Sequence, residues 1–184
     1  MAAPAGQVTA SALQTMLKDA AFAGSWTLDA SRSAIGLRSR SMWGLAPVKG
    51  TFREVSGNGT VAADGQVSGT ITVAAASVDT KVAKRDTHLR SADFFDSGNH
   101  PHITFRVEEI APSPRGVTVT GALTVRDRTR PVTFDATVSA ADRDEVWLGA
   151  EVQVNRADFG LTWSPMRMAS TQNTITVHAV FTRS

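Results

Sequence analysis

The sequence predicts an all-β protein that forms one up-and-down antiparallel barrel of eight strands, preceded by a short helix. Two observations carry this prediction. Apolar and polar residues alternate with a period of two through most of the chain between Trp26 and Phe181, which is the spacing of strands buried on one face. Turn signals such as Asn58-Gly59 and Asp64-Gly65 lie between alternating segments, so successive strands are expected to join by hairpins. A two-sheet sandwich is the alternative arrangement of the same strands.

Length and composition describe one ordinary globular domain. The chain has 184 residues, of which 42% are hydrophobic and 20% are charged. It has no apolar run of about 18 residues that could span a bilayer, so a soluble protein without an integral membrane segment is expected. The absence of cysteine excludes disulfides, thiol chemistry and zinc–thiolate sites.

The start of the chain bears on location. The first 25 residues lack the basic start, continuous apolar centre and cleavage site of a signal peptide. A cytoplasmic location is therefore expected, or a periplasmic or secreted one if a leader has already been removed. The sequence leaves the oligomeric state open, with a homodimer as one option.

Charge does not indicate a nucleic-acid partner. The net charge is only +2, and with no tyrosine and 7% aromatic residues the base-stacking surface of a single-strand binder is hard to assemble. Charge runs mostly solubilise a surface, so a solvated surface is the simplest interpretation of the basic clusters. These clusters are Arg38 and Arg40; Lys81, Lys84, Arg85 and Arg90; and Arg126, Arg128 and Arg130.

Residues 1–24 are expected to form an N-terminal extension, and residues 25–184 the barrel domain. Ser11 and Gln14 have the spacing of a capping box, which predicts a helix that begins at Ser11 and is ended by Gly24. Its apolar face would consist of Leu13, Met16 and Leu17. A helix of about ten residues is marginal alone, so this face is expected to pack on the barrel rather than to form a moving lid.

The barrel pattern opens at Trp26, and eight alternating segments follow it. Residues 57–65 contain two turn signals and are expected to hold a bulged strand rather than a regular one. The eight segments are 33–43, 48–54, 71–75, 103–107, 117–125, 132–138, 146–154 and 175–181. Eight is the number of strands at which an up-and-down barrel closes around side chains or one small ligand.

Residues 77–105 form the one long crossover in a protein of otherwise short connections, and crossovers of this length are usually functional or closing elements. A short helix is predicted from Val78 to Leu89, with Asp79 or Thr80 as its N-cap. The two adjacent phenyl rings at 94–95 stand among polar residues, so they are expected to be buried against the barrel.

Several motifs in the crossover and beyond it carry a family resemblance. They are SVDT at 77–80, RDTHL at 85–89, SADFFD at 91–96, HPHITF at 100–105, GALTVRDRTRP at 121–131, NRADFGLTW at 155–163 and WTLD at 26–29. Together they resemble the YceI-like family, the polyisoprenoid-binding, lipocalin-like β-barrels, over about residues 25–184. The resemblance implies a barrel with an apolar ligand, and it does not name the ligand.

The inward-facing positions predict a dry, apolar interior. They include no Asp, Glu, Lys or Arg in the regular stretches, and many are small: Gly69, Ala75, Gly121, Ala136, Ala150 and Ala179. Small inward residues favour an internal cavity over a core packed solid. The candidate ligand-lining residues, chosen by inward parity or from the NRADFGLTW motif, are Trp43, Phe52, Val73, Phe105, Leu123, Phe134, Leu148, Phe159 and Trp163.

No catalytic pattern is found. His100 and His102 would share one side of a strand, with Asp86, His88 or Asp96 near them, but the spacing is common by chance and no metal is predicted. There is no Gly-X-Ser-X-Gly elbow and no Walker pattern for phosphate. Catalytic residues and cofactors are therefore not expected.

The apolar interior and the lack of a catalytic pattern predict a non-enzymatic binding protein. The resemblance implies that its ligand is a long isoprenoid-type lipid, either a polyisoprenoid or an isoprenoid quinone, bound for carriage or storage. Arg126, Arg128 and Arg130 are candidates for a charged headgroup, because arginine makes bidentate hydrogen bonds to phosphate. Two alternatives remain: a small-molecule or metal-dependent enzyme built on the crossover, and a solid-core, stress-related interaction module.

Overall fold

The computed structural model describes residues 8–19, 21–41, 45–114, 116–164, 166 and 169–184. The helices of this part of the chain are α1 (Ala10–Lys18) and α2 (Ala83–Arg90), with 3-10 turns at Ala75–Ser77 and Arg156–Phe159. Its strands are β1 (Gly24–Leu28), β2 (Ala34–Ser41), β3 (Ala46–Phe52), β4 (Val55–Val61), β5 (Val67–Ala74), β6 (Val78–Asp79), β7 (His102–Ser113), β8 (Gly116–Val125), β9 (Arg128–Asp142), β10 (Glu145–Asn155) and β11 (Gln172–Arg183).

The strands form one closed antiparallel barrel. β1 pairs with β4 and, through Trp26 opposite Arg183, with β11, which closes a ring of eight strands. β2 pairs with β11 and β3, and β3 pairs with β6, so β1–β2, β3–β4 and β5–β6 each act as one interrupted barrel strand. Each barrel strand lies beside its neighbour in sequence. The predicted eight-stranded up-and-down barrel is confirmed, and the sandwich is wrong.

The period-two alternation sets which face of each strand is buried. Along β8, Val117, Val119, Leu123 and Val125 are buried while the threonines between them face outward. On the outer face the hydroxyl of Thr118 donates to the carboxylate of Asp135 at 2.7 Å. Because a shift of one residue would turn the whole apolar set to solvent, this pattern fixes the register between β8 and β9.

Helix α1 lies across one end of the barrel, which is called the α1 end here. The backbone N–H of Val8 donates to the carbonyl of Val138 at 2.9 Å, and Val8 and Leu17 pack on buried residues of β8 and β9. The N-cap is Thr9, whose hydroxyl accepts from the Ala12 N–H, so the predicted start at Ser11 is wrong. The helix ends at Lys18, before the predicted stop at Gly24.

Of the predicted apolar face of α1, only part can be placed. Leu17 packs against the barrel, and Met16 is half-buried. The side chain of Leu13 lies outside the described residues. The expected docking of α1 therefore involves Leu17 together with Val8, a residue that precedes the helix and that the helical spacing could not include.

The crossover covers the opposite end, called the α2 end, where β3, β7, β9 and β11 begin. Its helix begins at Ala83 rather than at Val78, because Val78 and Asp79 pair with β3 as β6. Thr80 does not cap the helix: its N–H and hydroxyl both bind the buried carboxylate of Asp86. The burial expected for the phenyl pair holds for Phe95, which is buried.

Candidate functional site

The barrel encloses a cavity of about 760 Å³ beneath α2 and the crossover. Eight of the nine residues proposed as lining do line it: Phe52, Val73, Phe105, Leu123, Phe134, Leu148, Phe159 and Trp163. The ninth, Trp43, lies outside the described residues. Contact between these side chains and a ligand stays a prediction, while their position on the cavity wall is a structural fact.

The walls are apolar and the floor is closed. Inward residues of β5, β7, β9, β10 and β11 supply the middle of the wall, among them Ile71, Ile103, Val132, Val152 and Ile175. At the α1 end the lining stops at Ile110, Val119 and Ala136, and Val8 and Leu17 pack against the buried residues of that region. The cavity is therefore a blind pocket whose floor is reinforced by α1.

The cavity reaches solvent at the α2 end. The lining residues whose side chains are exposed all lie there: Arg40, Val82, Lys84, Thr87 and Trp163. This opening is called the mouth. Within the described lining there is no Asp or Glu, whereas the charged and titratable members are Arg40, Lys84, Arg85, His88 and Arg156, again at the α2 end. The site thus combines an apolar interior with a mouth whose only charged side chains, in this lining, are basic.

Arg156 is the most unusual of these cations, because it is only 8% exposed and no described carboxylate pairs with it. Its guanidinium donates to the carbonyls of Ser170 at 2.9 Å and Trp163 at 3.0 Å, and also to the carbonyl of Leu161. Loss of hydration on burial lowers its pKa below the ordinary arginine value. It also lies 5.7 Å from the ring of Phe94. Arg156 therefore ties the segment after Phe159 to the mouth.

Aromatic rings form the part of the cavity wall between α2 and the segment after Phe159. The ring centroid of His88 lies 4.1 Å from that of Trp163 and 5.2 Å from that of Phe94, edge to face in both pairs. His88 Nε2 is 3.1 Å from a carboxylate oxygen of Asp93. Arg85 donates to the hydroxyl and carbonyl of Thr80, so the start of α2 is held in place.

The three arginines proposed for a headgroup are not among the described lining residues. Arg126 lies in the β8–β9 turn with φ of 58°, where it donates to the carbonyls of Ala92 and Phe94 and lies 3.9 Å from Asp96. Arg128 and Arg130 are exposed on β9. Strand pairing does not continue through the turn. The three arginines therefore do not lie on one side of a strand, as their spacing would have allowed.

The small inward residues behave differently from one another. Ala136 and Ala150 line the cavity, as expected of residues that leave space. Gly121 does not: a Cβ there would lie 2.6 Å from the Phe105 ring and 2.3 Å from the Arg106 carbonyl oxygen, so glycine accommodates that ring. Gly69, Ala75 and Ala179 are absent from the described lining, and the last two are fully buried in the core.

The described residues offer little support for a metal site or a membrane-spanning helix. No group of three or more His, Asp and Glu side chains there is arranged to hold a metal ion. His100 lies 3.8 Å from Asp96, while His102 is exposed on β7. No helix in the same residues is both long and apolar enough to cross a bilayer.

Fold and cavity together define a lipocalin-like β-barrel with an apolar pocket open at one end. Residues 26–182 match the YceI-like domain, so the chain belongs to that family and the resemblance is confirmed. The chain is 34% identical over 129 residues to protein YceI of Escherichia coli O17:K52:H18 (strain UMN026 / ExPEC), an alignment of 64% of this chain and 65% of that protein. It is 37% identical over 98 residues to a UPF0312 protein of Serratia proteamaculans (strain 568), covering 50% of each. These alignments span less than two thirds of either relative.

Solved structures share the fold at lower identity. BcnA of Burkholderia cenocepacia superposes with a TM-score of 0.75 at 23% identity, covering 83% of this chain and 98% of that one. A polyisoprenoid binding domain from Saccharophagus degradans gives a TM-score of 0.73 at 15% identity, covering 86% and 98%. The YceI protein of Campylobacter jejuni gives 0.66 at 21% identity, covering 76% and 87%.

Proposed function

We propose that the protein binds a long apolar isoprenoid-type lipid, either a polyisoprenoid or an isoprenoid quinone, inside the barrel and carries or stores it without chemical change. The observation that carries this proposal is the cavity of about 760 Å³ with apolar walls and no carboxylate among its described lining residues. Its volume is in the range of small-molecule sites, which are roughly 300–1,000 Å³. A description of one structural neighbour, from Saccharophagus degradans, as a polyisoprenoid binding domain supports the choice of ligand class.

The energetics of burial are sufficient without any specific polar contact. Burial of apolar area is worth roughly 25 cal/mol per Å², so a chain that buries about 400 Å² gains roughly 10 kcal/mol before the costs of association. Because the pocket is blind, its depth and width set which chains fit. Selectivity therefore depends on residues of the deeper wall such as Ala136 and Ala150.

A polar headgroup would remain at the mouth, where Lys84 and Arg85 line the cavity. This placement is favoured over Arg126, Arg128 and Arg130, for which a headgroup role stays a prediction, because none of the three is among the described lining residues. The basic mouth suits a ligand whose polar end is neutral or anionic, and a cationic end would be repelled.

The test is isoprenoid-quinone binding by the purified protein and by Ala136→Trp and Ala150→Trp, followed by quenching of tryptophan fluorescence and by extraction with mass spectrometry. Each substitution puts an indole into the cavity, so quinones with long tails should lose at least about tenfold in affinity, the cost of a wall contact worth about 1.4 kcal/mol. Short-tailed quinones should lose less.

Thr133→Trp is the matched control, because Thr133 is exposed on the outer face of the same strand. It should bind like the unchanged protein, and circular dichroism checks that all three variants fold. The proposal is wrong if the unchanged protein binds no isoprenoid, or if the cavity and outer-face variants bind long-tailed quinones equally well. Stoichiometric metal in the purified protein would favour an enzyme on the crossover.

A further inference from the structure

Large apolar side chains that are exposed gather at the α2 end. In the described residues they are Leu45 at 82% exposed, Met166 at 77%, Val82 at 46% and Trp163 at 39%. Leu45 lies in the β2–β3 turn, Val82 precedes α2, and the other two lie after Phe159. All of these segments border the mouth, and the α1 end has no comparable side chain among the described residues. A group of exposed apolar residues on one side of a soluble fold marks an interaction surface.

The same end carries excess positive charge. Between residues 81 and 90 the cations are Lys81, Lys84, Arg85 and Arg90, and the only carboxylate is the buried Asp86. Asp79, close by, is shared by Lys81 at 2.8 Å and by Arg53, so one carboxylate faces two cations. Asp93 faces His88, and Asp96 lies near Arg126 and His100. Asp127 and Asp158 are exposed at the same end, where the cations still outnumber the carboxylates.

Members of the three basic clusters, which are far apart in sequence, all lie at this end. Arg40 precedes the β2–β3 turn, the second cluster lies on α2 and just before it, and Arg128 and Arg130 begin β9. The exposed apolar residues therefore stand among basic side chains. This combination is typical of surfaces that insert apolar groups into the headgroup region of a membrane and bind its anionic lipids.

We propose that the α2 end docks on the surface of an anionic lipid bilayer, with the mouth facing the membrane. This inference rests on the proposed function, because docking lets an isoprenoid chain pass between membrane and cavity without crossing water. Leu45 and Met166 enter the interface beside Trp163, since tryptophan favours the boundary between headgroups and acyl chains. The basic residues around them select an anionic surface.

The two ends of the barrel differ in the charge that they present to a membrane, and docking by one end requires such a difference. At the α1 end, arginines pair with carboxylates: Arg183 with Asp144 at 2.9 Å, and Arg32 with Glu145 at 2.6 Å and Asp29 at 2.7 Å. The charges of these two arginines are balanced within the protein. Among the described residues, only those of the α2 end present exposed apolar side chains together with unpaired positive charge, and this difference specifies the orientation on the membrane.

The test is co-sedimentation with vesicles of phosphatidylcholine alone or mixed with phosphatidylglycerol, at low and high salt. The unchanged protein should bind the mixed vesicles at low salt. At about 1 M salt it should be released, because the Debye length falls to about 3 Å and the attraction between charges is screened. The double variant Leu45→Ser/Met166→Ser should bind at least about tenfold more weakly, because two exposed apolar anchors are lost. Lys81→Gln should weaken binding about fivefold, the usual effect of one basic residue near such a surface.

Lys18→Gln, at the α1 end, is the matched control and should bind vesicles like the unchanged protein. None of these substitutions touches a lining residue, so quinone affinity in solution should be unchanged in all of them. Equal binding to both vesicle types, no binding by the unchanged protein, or equal losses in Lys81→Gln and Lys18→Gln would overturn the docking proposal. Vesicle binding without any quinone binding would leave docking in place and refute the isoprenoid carrier.

Discussion

The two ends of the barrel hold their arginines in different ways. At the α1 end Arg32 and Arg183 bind carboxylates, and Arg183 also donates to the carbonyls of Ala21 and Ala23. At the α2 end Arg53 shares Asp79 with Lys81, but three other arginines bind backbone oxygens and no described carboxylate. Arg90 donates to the carbonyls of Ala76 and Val78 at 2.6 and 2.8 Å, and Arg85 and Arg156 likewise bind backbone oxygens. A carbonyl satisfies the hydrogen bonds of a guanidinium but does not cancel its charge. The carbonyl-bound arginines of the α2 end therefore order its loops and keep their positive charge, while the charges of Arg32 and Arg183 at the α1 end are paired with carboxylates.

The largest expected effect is at Arg156. Arg156→Ala removes donors from several buried or partly buried carbonyls that no other described side chain satisfies, so the free energy of unfolding should fall by about 3 kcal/mol. Arg156→Lys should not restore it, since an ammonium cannot reach the same carbonyls with a planar fork. Urea unfolding measures both. Arg38→Ala is the control, because its pair with Glu151 is exposed and should contribute less than about 1 kcal/mol. Similar losses in Arg156→Ala and Arg38→Ala would show that an arginine held by carbonyls at the α2 end stabilises the fold no more than an exposed ion pair does.

A smaller effect is expected at the α1 end. Leu17 is half-buried against β8 and β9, so Leu17→Ala should lower the free energy of unfolding by about 1–2 kcal/mol, less than the usual cost at a fully buried leucine. Gln14→Ala on the exposed side of the same helix should change it by less than about 0.5 kcal/mol. Thermal unfolding distinguishes the two variants. If they melt at the same temperature, α1 does not reinforce the floor of the cavity.

The smallest effect is a pH dependence at the α1 end. Hydrogen bonds from Ser31 and Arg32 lower the pKa of Asp29 from 3.8 to about 2. A lowered folded-state pKa stabilises the fold above the unfolded-state value and loses that contribution as the pH falls towards 2. The difference in melting temperature between the unchanged protein and Asp29→Asn should therefore be constant from pH 5 to 7 and shrink between about pH 4 and 2. A difference that stays constant down to pH 2 would contradict this role for Asp29.

The barrel itself could be predicted from the sequence because its strands obey a local rule. Alternation placed Phe52, Leu123 and Leu148 on the inner face, and the structure finds them on the cavity wall. The start of α2 could not be predicted in this way, since Val78 and Asp79 pair with residues 51–52 of β3, which lie far away in sequence. Local capping preferences do not include such partners.

The character of the mouth could not be predicted for the same reason. Arg156 stands in a family-like motif, and that motif was the only signal that could have drawn attention to it. The burial of Arg156 depends on backbone carbonyls between residues 161 and 170, and no pattern of side chains in the sequence indicates where such carbonyls point. The small inward residue Gly121 predicts empty space, but the ring of Phe105 fills that position. Tertiary packing decides both cases.

The closure of the ring has a consequence for the order of folding. β11 pairs with β10 on one side and with both β1 and β2 on the other, and the hydroxyls of Thr27 and Ser184 meet across a separation of 157 residues. Contacts at such separations form late, because the chain entropy lost in closing the loop must be offset first. Until β11 arrives, the nascent sheet has two open edges and no enclosed interior. The enclosed cavity can therefore form only after the last barrel strand has left the ribosome.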